Sequence, residues 1–405
     1  MTSPSKRKND VLLRRATEAD IFKISELYFE VYNGTYPDPV VTNLKLLKNF
    51  ISDPQNYWLV GEKDDQLVAS LIYEYDPQHK IAKAFGAVVS TKVRHGGIAE
   101  ALMWFALELI NDDTQNGLEV TYATTRTVHA VAQLLTNKLD FKKLGIFPNV
   151  HRTTDYETHC LASRFSPQAL AKRYSQFKLH PKILPLYKLA QSELNLPDIE
   201  IAPLKASIPF DLVHHFHLEV ISAPGFVLER FLKVKQEGKL DNSFFPFHTP
   251  NVLITSPDQS TEAFLYVNDL DRHCVIIGIN AEHTYHHNHM SLLHQIVDLL
   301  RTMNVRYIET IVRADKTIDI DNVIKAKFIP CAYFPAFQLT IDEKGEARHD
   351  FVVFSRSFEV FDFSNIQLDG IYKEFLTLYF EMWKEISLNP NLIPENNTDK
   401  KEEKE

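Results

Sequence analysis

The sequence predicts an α+β (α/β) protein made of two tandem units that share one element order. Three observations carry this. At 405 residues the chain is long for one hydrophobic core, so two domains are expected. Strand and helix patterns recur in the same order in both halves, as tandem copies of one fold would. A glycine-bearing turn, Arg94-His-Gly-Gly-Ile-Ala99, joins a strand pattern to an amphipathic helix pattern in the first half.

Composition bounds the class. Hydrophobic residues make up 44% and charged residues 24%, an ordinary soluble globular balance. A net charge of −9 argues against a nucleic-acid binder and gives a weak bias towards a cationic substrate. Cys160, Cys274 and Cys331 are far apart and form no Cys-x-x-Cys pair, which suits a reducing compartment. The basic N-terminus has no apolar stretch behind it, and no run approaches the ~20 residues of a membrane span. A cytoplasmic protein without membrane attachment is expected.

In chain order, residues 1–10 are polar and expected to be disordered. Val11–Arg14 reads as a strand. Thr17-Glu-Ala-Asp20 resembles a capping box, and Ile21, Ile24, Leu27 and Val31 follow at helical spacing. Tyr32-Asn-Gly-Thr-Tyr-Pro-Asp-Pro39 breaks that helix, and a second helix is expected near 41–51. Strands at 57–62 and 66–75 flank a hairpin turn at Lys63-Asp-Asp65, and 80–90 is the next strand. After the glycine turn, Ile98, Leu102, Phe105 and Leu109 form an apolar stripe. Leu118–Thr124, His129–Asn137, Phe141–Phe147 and 153–164 then read as strand, helix, strand, strand. These elements define a first unit over 11–165.

Ser166-Pro167 opens a helical connector over 166–197, with helical patterns at 167–178 and 183–194. In the second unit, 198–388, Ile199–Leu204 echoes Val11–Ala16. Helices are expected near 209–220 and 226–236, strands at 251–255, 261–268 and 273–280, and a helix at 288–302. Strand 307–313, helix 317–327 and strand 329–339 follow. Strand 350–358 and helix 370–386 close the chain, and 389–405 is expected to be disordered.

This order resembles the GNAT superfamily of acyl-CoA-dependent N-acetyltransferases. Arg94, Gly97 and Ala99 fill the family's signature of Arg or Gln, two residues, Gly, one residue, Gly or Ala. Val88–Val93 fits its fourth strand and exit, and Ala132–Phe141 its Ala-to-Gly-Phe stretch. The resemblance implies a mixed, mostly antiparallel twisted sheet flanked by helices in each unit. It also implies acetyl-CoA as acyl donor, with no metal. Arg94, His95, Gly96, Gly97, Ile98 and Ala99 would bind the pyrophosphate, since backbone N–H groups at a helix N-terminus suit an anion. Val89 and Val93 would pair with the pantetheine arm beside a splayed strand.

Acyl transfer needs a free amine, a polarised thioester and a protonated leaving thiolate. The tyrosine that serves many relatives as acid falls at Thr136, with Leu135 beside it. His129, Tyr122 and Tyr73 remain as candidate donors, and Glu74 and Glu119 as candidate bases. A water chain is the alternative to a single base, and exposed edge glutamates are the competing reading. Tyr32, Tyr36 and Tyr73 are candidate walls of the acceptor pocket.

The second half has no glycine turn. Ala281–His289 stands there, with His283, His286, His287 and His289 and with His294 nearby. It reads as a surface cluster in a degenerate, non-catalytic copy rather than a metal site. The leading expectation is an N-acetyltransferase acting on a small-molecule amine or a protein lysine, as monomer or homodimer. An inactive acyl-CoA-binding sensor or interaction protein is the alternative.

Overall fold

The structure, a computed structural model, describes residues 5–36, 38–93, 96–115, 117–152, 155–203, 215–240, 244–281, 285–343 and 345–388, with backbone alone at 285–288. The first half opens with strands Ser5–Lys8 (β1) and Val11–Arg15 (β2) and helices Ile21–Tyr32 (α1), Pro39–Thr42 (α2) and Leu44–Ser52 (α3). A meander of Asn56–Lys63 (β3), Gln66–Asp76 (β4) and Ile81–Val89 (β5) leads to Ile98–Asp113 (α4). Val120–Arg126 (β6), Val131–Lys138 (α5) and the hairpin Lys142–Arg152 (β7) and Tyr156–Phe165 (β8) complete it. The connector holds Pro167–Ala171 (α6), Lys178–Leu179 (β9), Leu184–Leu194 (α7) and Glu200–Ile201 (β10).

The second half runs Glu219–Ile221 (β11), Pro224–Gln236 (α8), Val252–Thr255 (β12), Thr261–Asn268 (β13) and His273–Ala281 (β14). Then come Tyr285–Thr302 (α9), Tyr307–Arg313 (β15), Thr317–Lys325 (α10), Ile329–Asp342 (β16), Gly345–Ser357 (β17) and Tyr372–Ser387 (α11).

Fifteen of these strands form one sheet, ordered β1-β2-β3-β4-β5-β6-β8-β7-β16-β17-β15-β14-β13-β12-β11. Outward from β7 and β16 the two wings repeat one order: hairpin partner, the strand before it, then the meander. In each wing one contact is parallel, β5 with β6 and β14 with β15. The wings meet through the pair Gly145 and Ala332. A Cβ on Gly145 would clash with that of Ala332, so only glycine allows the approach. Helices α7 and α11 pack over both β7 and β16. Tyr187, Tyr333 and Tyr372 are fully buried in a core that spans the seam.

In the first wing α4 covers one face with the expected stripe of Leu102, Phe105 and Leu109, and α1 and α3 cover the other with Ile24, Leu27 and Leu47. Local signals hold where they are chemically specific. The backbone N–H of Thr17 donates to Asp20 at 2.8 Å, half of the capping box. Asp64 and Asp65 take φ of 50° and 59°, the left-handed pair that a two-residue hairpin turn requires, without glycine.

Other expectations are corrected. Part of 1–10, expected to be disordered, is strand β1: it pairs its backbone with β2 while its side chains stay in water, and Lys6 reaches Glu108 on α4 at 2.6 Å. Ile199–Leu204 is not the counterpart of Val11–Ala16. β10 pairs in parallel with β9 in a separate two-stranded sheet, and β11 takes the edge of the second wing. The helix expected near 209–220 is strand at Glu219 and beyond, with 204–214 outside the described residues. The helix expected over 167–178 stops at Ala171, and Tyr174 N–H donates to the Arg348 carbonyl at 2.7 Å. The tail 389–405 lies outside the described residues. All three cysteines are buried and free. Among the described residues no helix is long and apolar enough to cross a membrane.

Candidate active site

The site grows from a fault in the sheet. The ladder between β5 and β6 ends at Ala84 and Ala123, yet β5 continues to Val89 and β6 to Arg126. A bulge bends β5 away. Ile72 pairs with Phe85 and Ser70 with Val88, so β5 carries one residue too many. Gly86 absorbs the bend at φ 64°, and its carbonyl accepts from the Tyr28 hydroxyl. A Cβ there would meet Tyr28 Oη and Ile72 Cδ1 at 2.8 Å.

The gap leads to the start of α4. Gly97 caps that helix at φ 66°, ψ 21°, a conformation that glycine adopts freely. Val89, Val93, Gly96, Gly97, Ile98 and Ala99 all line the opening. Arg94 and His95 lie outside the described residues. The first-turn N–H groups of α4 have no intrahelical partners, and unpaired donors at a helix N-terminus suit an anion. Strand β1 places Lys8 beside them, its Cε 3.7 Å from the position of a Cβ on Gly97. Sequence reasoning misses this cation, because a polar N-terminus reads as a frayed end.

From the turn, one cleft of about 1430 Å³ passes the gap and continues to the second wing. Glu74 stands opposite Lys83 on β5, and Lys83 opposite Tyr122 on β6, so the three share the face covered by α1–α3. Burial pushes the Glu74 carboxyl up to about 7. Tyr122 packs 5.6 Å from Phe334, 5.7 Å from Phe337 and 6.1 Å from Phe247, and burial raises its hydroxyl well above the ordinary tyrosine range. Tyr32 and Tyr36 meet edge to face at 4.9 Å, with the Arg126 guanidinium 5.7 Å above the Tyr32 ring. Glu157 holds that guanidinium through two hydrogen bonds of 2.5 and 2.6 Å. His129 is exposed at the rim, just ahead of α5.

Two expected site residues lie elsewhere. Tyr73 is fully buried in the core under α4, because alternation along β4 turns it away from Glu74. Glu119 precedes β6, outside the cleft, and accepts from Arg348 Nε at 2.7 Å and Lys172 Nζ at 2.5 Å. Burial opposes its charge, but these bonds outweigh burial and hold its carboxyl below the usual range.

The second wing supplies what the sequence does not reveal. Phe247, His248, Tyr266, Asp271, His273 and Glu309 line the same cleft. His151, on β7, hydrogen-bonds Asp271, whose other oxygen accepts from Arg152 N–H at 2.7 Å. Burial pushes Glu309 up to about 7, and His159 and His273 down to about 4 and about 3. Nothing local in the sequence marks these groups, since they meet only through the seam. Of the histidine-rich segment, His283 lies outside the described residues, and nothing is described of the His286 and His287 side chains.

The description "Acetyltransferase (GNAT) family" belongs to a family model that matches residues 20–141. This segment is therefore a GNAT acetyltransferase domain, and acyl transfer is its family's chemistry. No curated protein matches the chain. Similar solved structures include the ribosomal-protein-alanine N-acetyltransferase of Brucella melitensis, 20% identical, covering 38% of this chain and 99% of that one, with a TM-score of 0.33. Another is the ribosomal-protein-S5-alanine acetyltransferase of Vibrio fischeri, at 12% identity, 40% and 97% coverage and a TM-score of 0.36. A third, the RimL ribosomal L7/L12 alpha-N-protein acetyltransferase, has 13% identity, 41% and 96% coverage and a TM-score of 0.35.

Proposed function

We propose that the chain is an N-acetyltransferase that moves an acetyl group from acetyl-CoA to a primary amine, with residues 11–165 as the catalytic unit. One observation carries this reading: a single cleft joins the N-terminus of α4 to Glu74 through the gap between β5 and β6. The turn at Gly96–Ala99 holds the pyrophosphate, Val89 and Val93 take the pantetheine arm, and the thioester sits in the gap. The amine nitrogen attacks the carbonyl carbon, the C–S bond breaks, and Glu74 takes the proton that the amine loses. Tyr122, kept neutral by burial, is the proton donor to the thiolate.

Residues 166–197 connect to a second unit, 198–388, that closes the acceptor end instead of running its own reaction. Phe247 and Tyr266 from that unit line the cleft, which favours a small-molecule amine over a protein lysine. The test is CoA release, read with a thiol reagent, over a panel of small amines and lysine peptides. Turnover with small amines is expected. Tight acetyl-CoA binding with no turnover on any amine would instead mark an acyl-CoA sensor.

A further inference from the structure

We propose a divalent-cation site, of the kind zinc occupies, at the seam between the wings, with His151 on β7, Asp271 in the β13–β14 turn and His273 on β14 as its ligands. The reading is independent of the transferase assignment. The donor atoms of the three residues lie within 4.8 Å of one another. Asp271 and His273 are 2% and 7% exposed, so this is an interior cluster rather than a surface coincidence. His273 Nε2 has no hydrogen-bond partner among the described residues, although it is buried. Glu309 Oε2 stands 3.9 Å from it, too far for a hydrogen bond and close enough to complete a coordination shell.

The chemistry fits a borderline ion. Two imidazoles and a carboxylate are a common zinc donor set, with bonds of about 2.0–2.2 Å that place donors roughly 3.3–3.6 Å apart. His151 Nδ1 and Asp271 Oδ2 are joined by a hydrogen bond. A cation takes the place of that hydrogen bond: His151 would bind through Nδ1 with its N–H on Nε2, and the pair moves apart to admit the ion. The Arg152 N–H, bonded to the other Asp271 oxygen at 2.7 Å, holds the carboxylate in orientation meanwhile. His151 lies 120 residues before Asp271 in the sequence, so no local spacing motif joins the two.

The test is calorimetry of Zn²⁺ binding to the chelator-treated full chain near pH 8. One equivalent is expected. His273→Ala and Asp271→Asn should each weaken binding by more than ~100-fold, past the loss typical of an outer-shell partner. His217→Ala, at an exposed histidine, controls for adventitious binding and should change nothing. Should a variant fail to fold, the visible absorption of Co²⁺ bound to the native chain still reports nitrogen and oxygen ligation. Absence of saturable Zn²⁺ binding by the native chain overturns the proposal and leaves a His–Asp hydrogen bond beside a buried histidine. Binding that neither Asp271→Asn nor His273→Ala disturbs overturns it equally.

Discussion

Glu119→Gln separates a structural carboxylate from a catalytic one. Glu119 is the buried counter-charge of Arg348, a guanidinium with 0% exposure that also donates to the carbonyls of His79, Ala336 and Phe337 at 2.7, 3.0 and 3.1 Å. Arg348 belongs to β17 of the second wing, so this pair ties the wings together. Lys172 binds the same carboxylate at 2.5 Å, and Lys80 stands 3.5 Å away. The amide keeps the shape but loses the charge, and its NH₂ group faces cations that can only donate. Breaking one side of a buried pair costs about 3–5 kcal/mol. At about 2–4 °C per kcal/mol for domains of 150–250 residues, Tm should fall by roughly 6–20 °C. Because folding depresses the Glu119 pKa, this stabilisation is present above the unfolded value of about 4.3 and is lost as pH falls through the folded value. The gap in Tm between native and variant chains should therefore narrow in acid. The assay is thermal unfolding by circular dichroism at several pH values, with CoA release measured well below the lower Tm. Turnover should stay within a few-fold of native. A loss of turnover of several orders of magnitude with an unchanged Tm would refute the structural assignment and return Glu119 to the catalytic candidates.

Glu74→Gln should lower kcat/KM by ~10²–10⁴. The native profile should rise with pH through about 7, where the buried carboxyl loses its proton and becomes able to accept one, and the variant should lack that rise. Gly97→Trp should abolish acetyl-CoA binding in calorimetry while the domain stays folded. The left-handed backbone adds only roughly 1–2 kcal/mol of strain, and the space around it is open apart from Lys8. Unchanged affinity would count against the turn as a phosphate cradle. His129→Ala should keep most activity, because the ring sits exposed at the rim; a collapse in kcat would make it the acid.

Residues with a local signature are legible in the sequence. Gly97 at the strand-to-helix junction, the Thr17–Asp20 cap, the Asp64-Asp65 turn and the α4 stripe each follow from short-range sterics and hydrogen bonding. Alternation along β4 also implies that Glu74 and Tyr73 face opposite ways, but it does not say which of the two faces the cleft. Strand β1 escapes a sequence reading because polar composition reports solvation, not whether a backbone finds a partner. The bulge at Gly86 escapes it because one glycine within an apolar run carries no signal of its own. Ile199–Leu204 misleads about the second wing's edge because it has strand chemistry but pairs with the connector rather than with β12.

The sequence by itself determined the glycine-bearing turn from strand to helix, the elements around it and the family resemblance that they carry, since contacts within a few residues dictate those features. Tertiary structure alone decided which carboxylate faces the cleft and which is spent on Arg348. It alone carried Asp271, His273 and Glu309 across to His151 and Lys83. Those meetings depend on the contact of β7 with β16 at Gly145 and Ala332, a long-range packing event that no local pattern encodes.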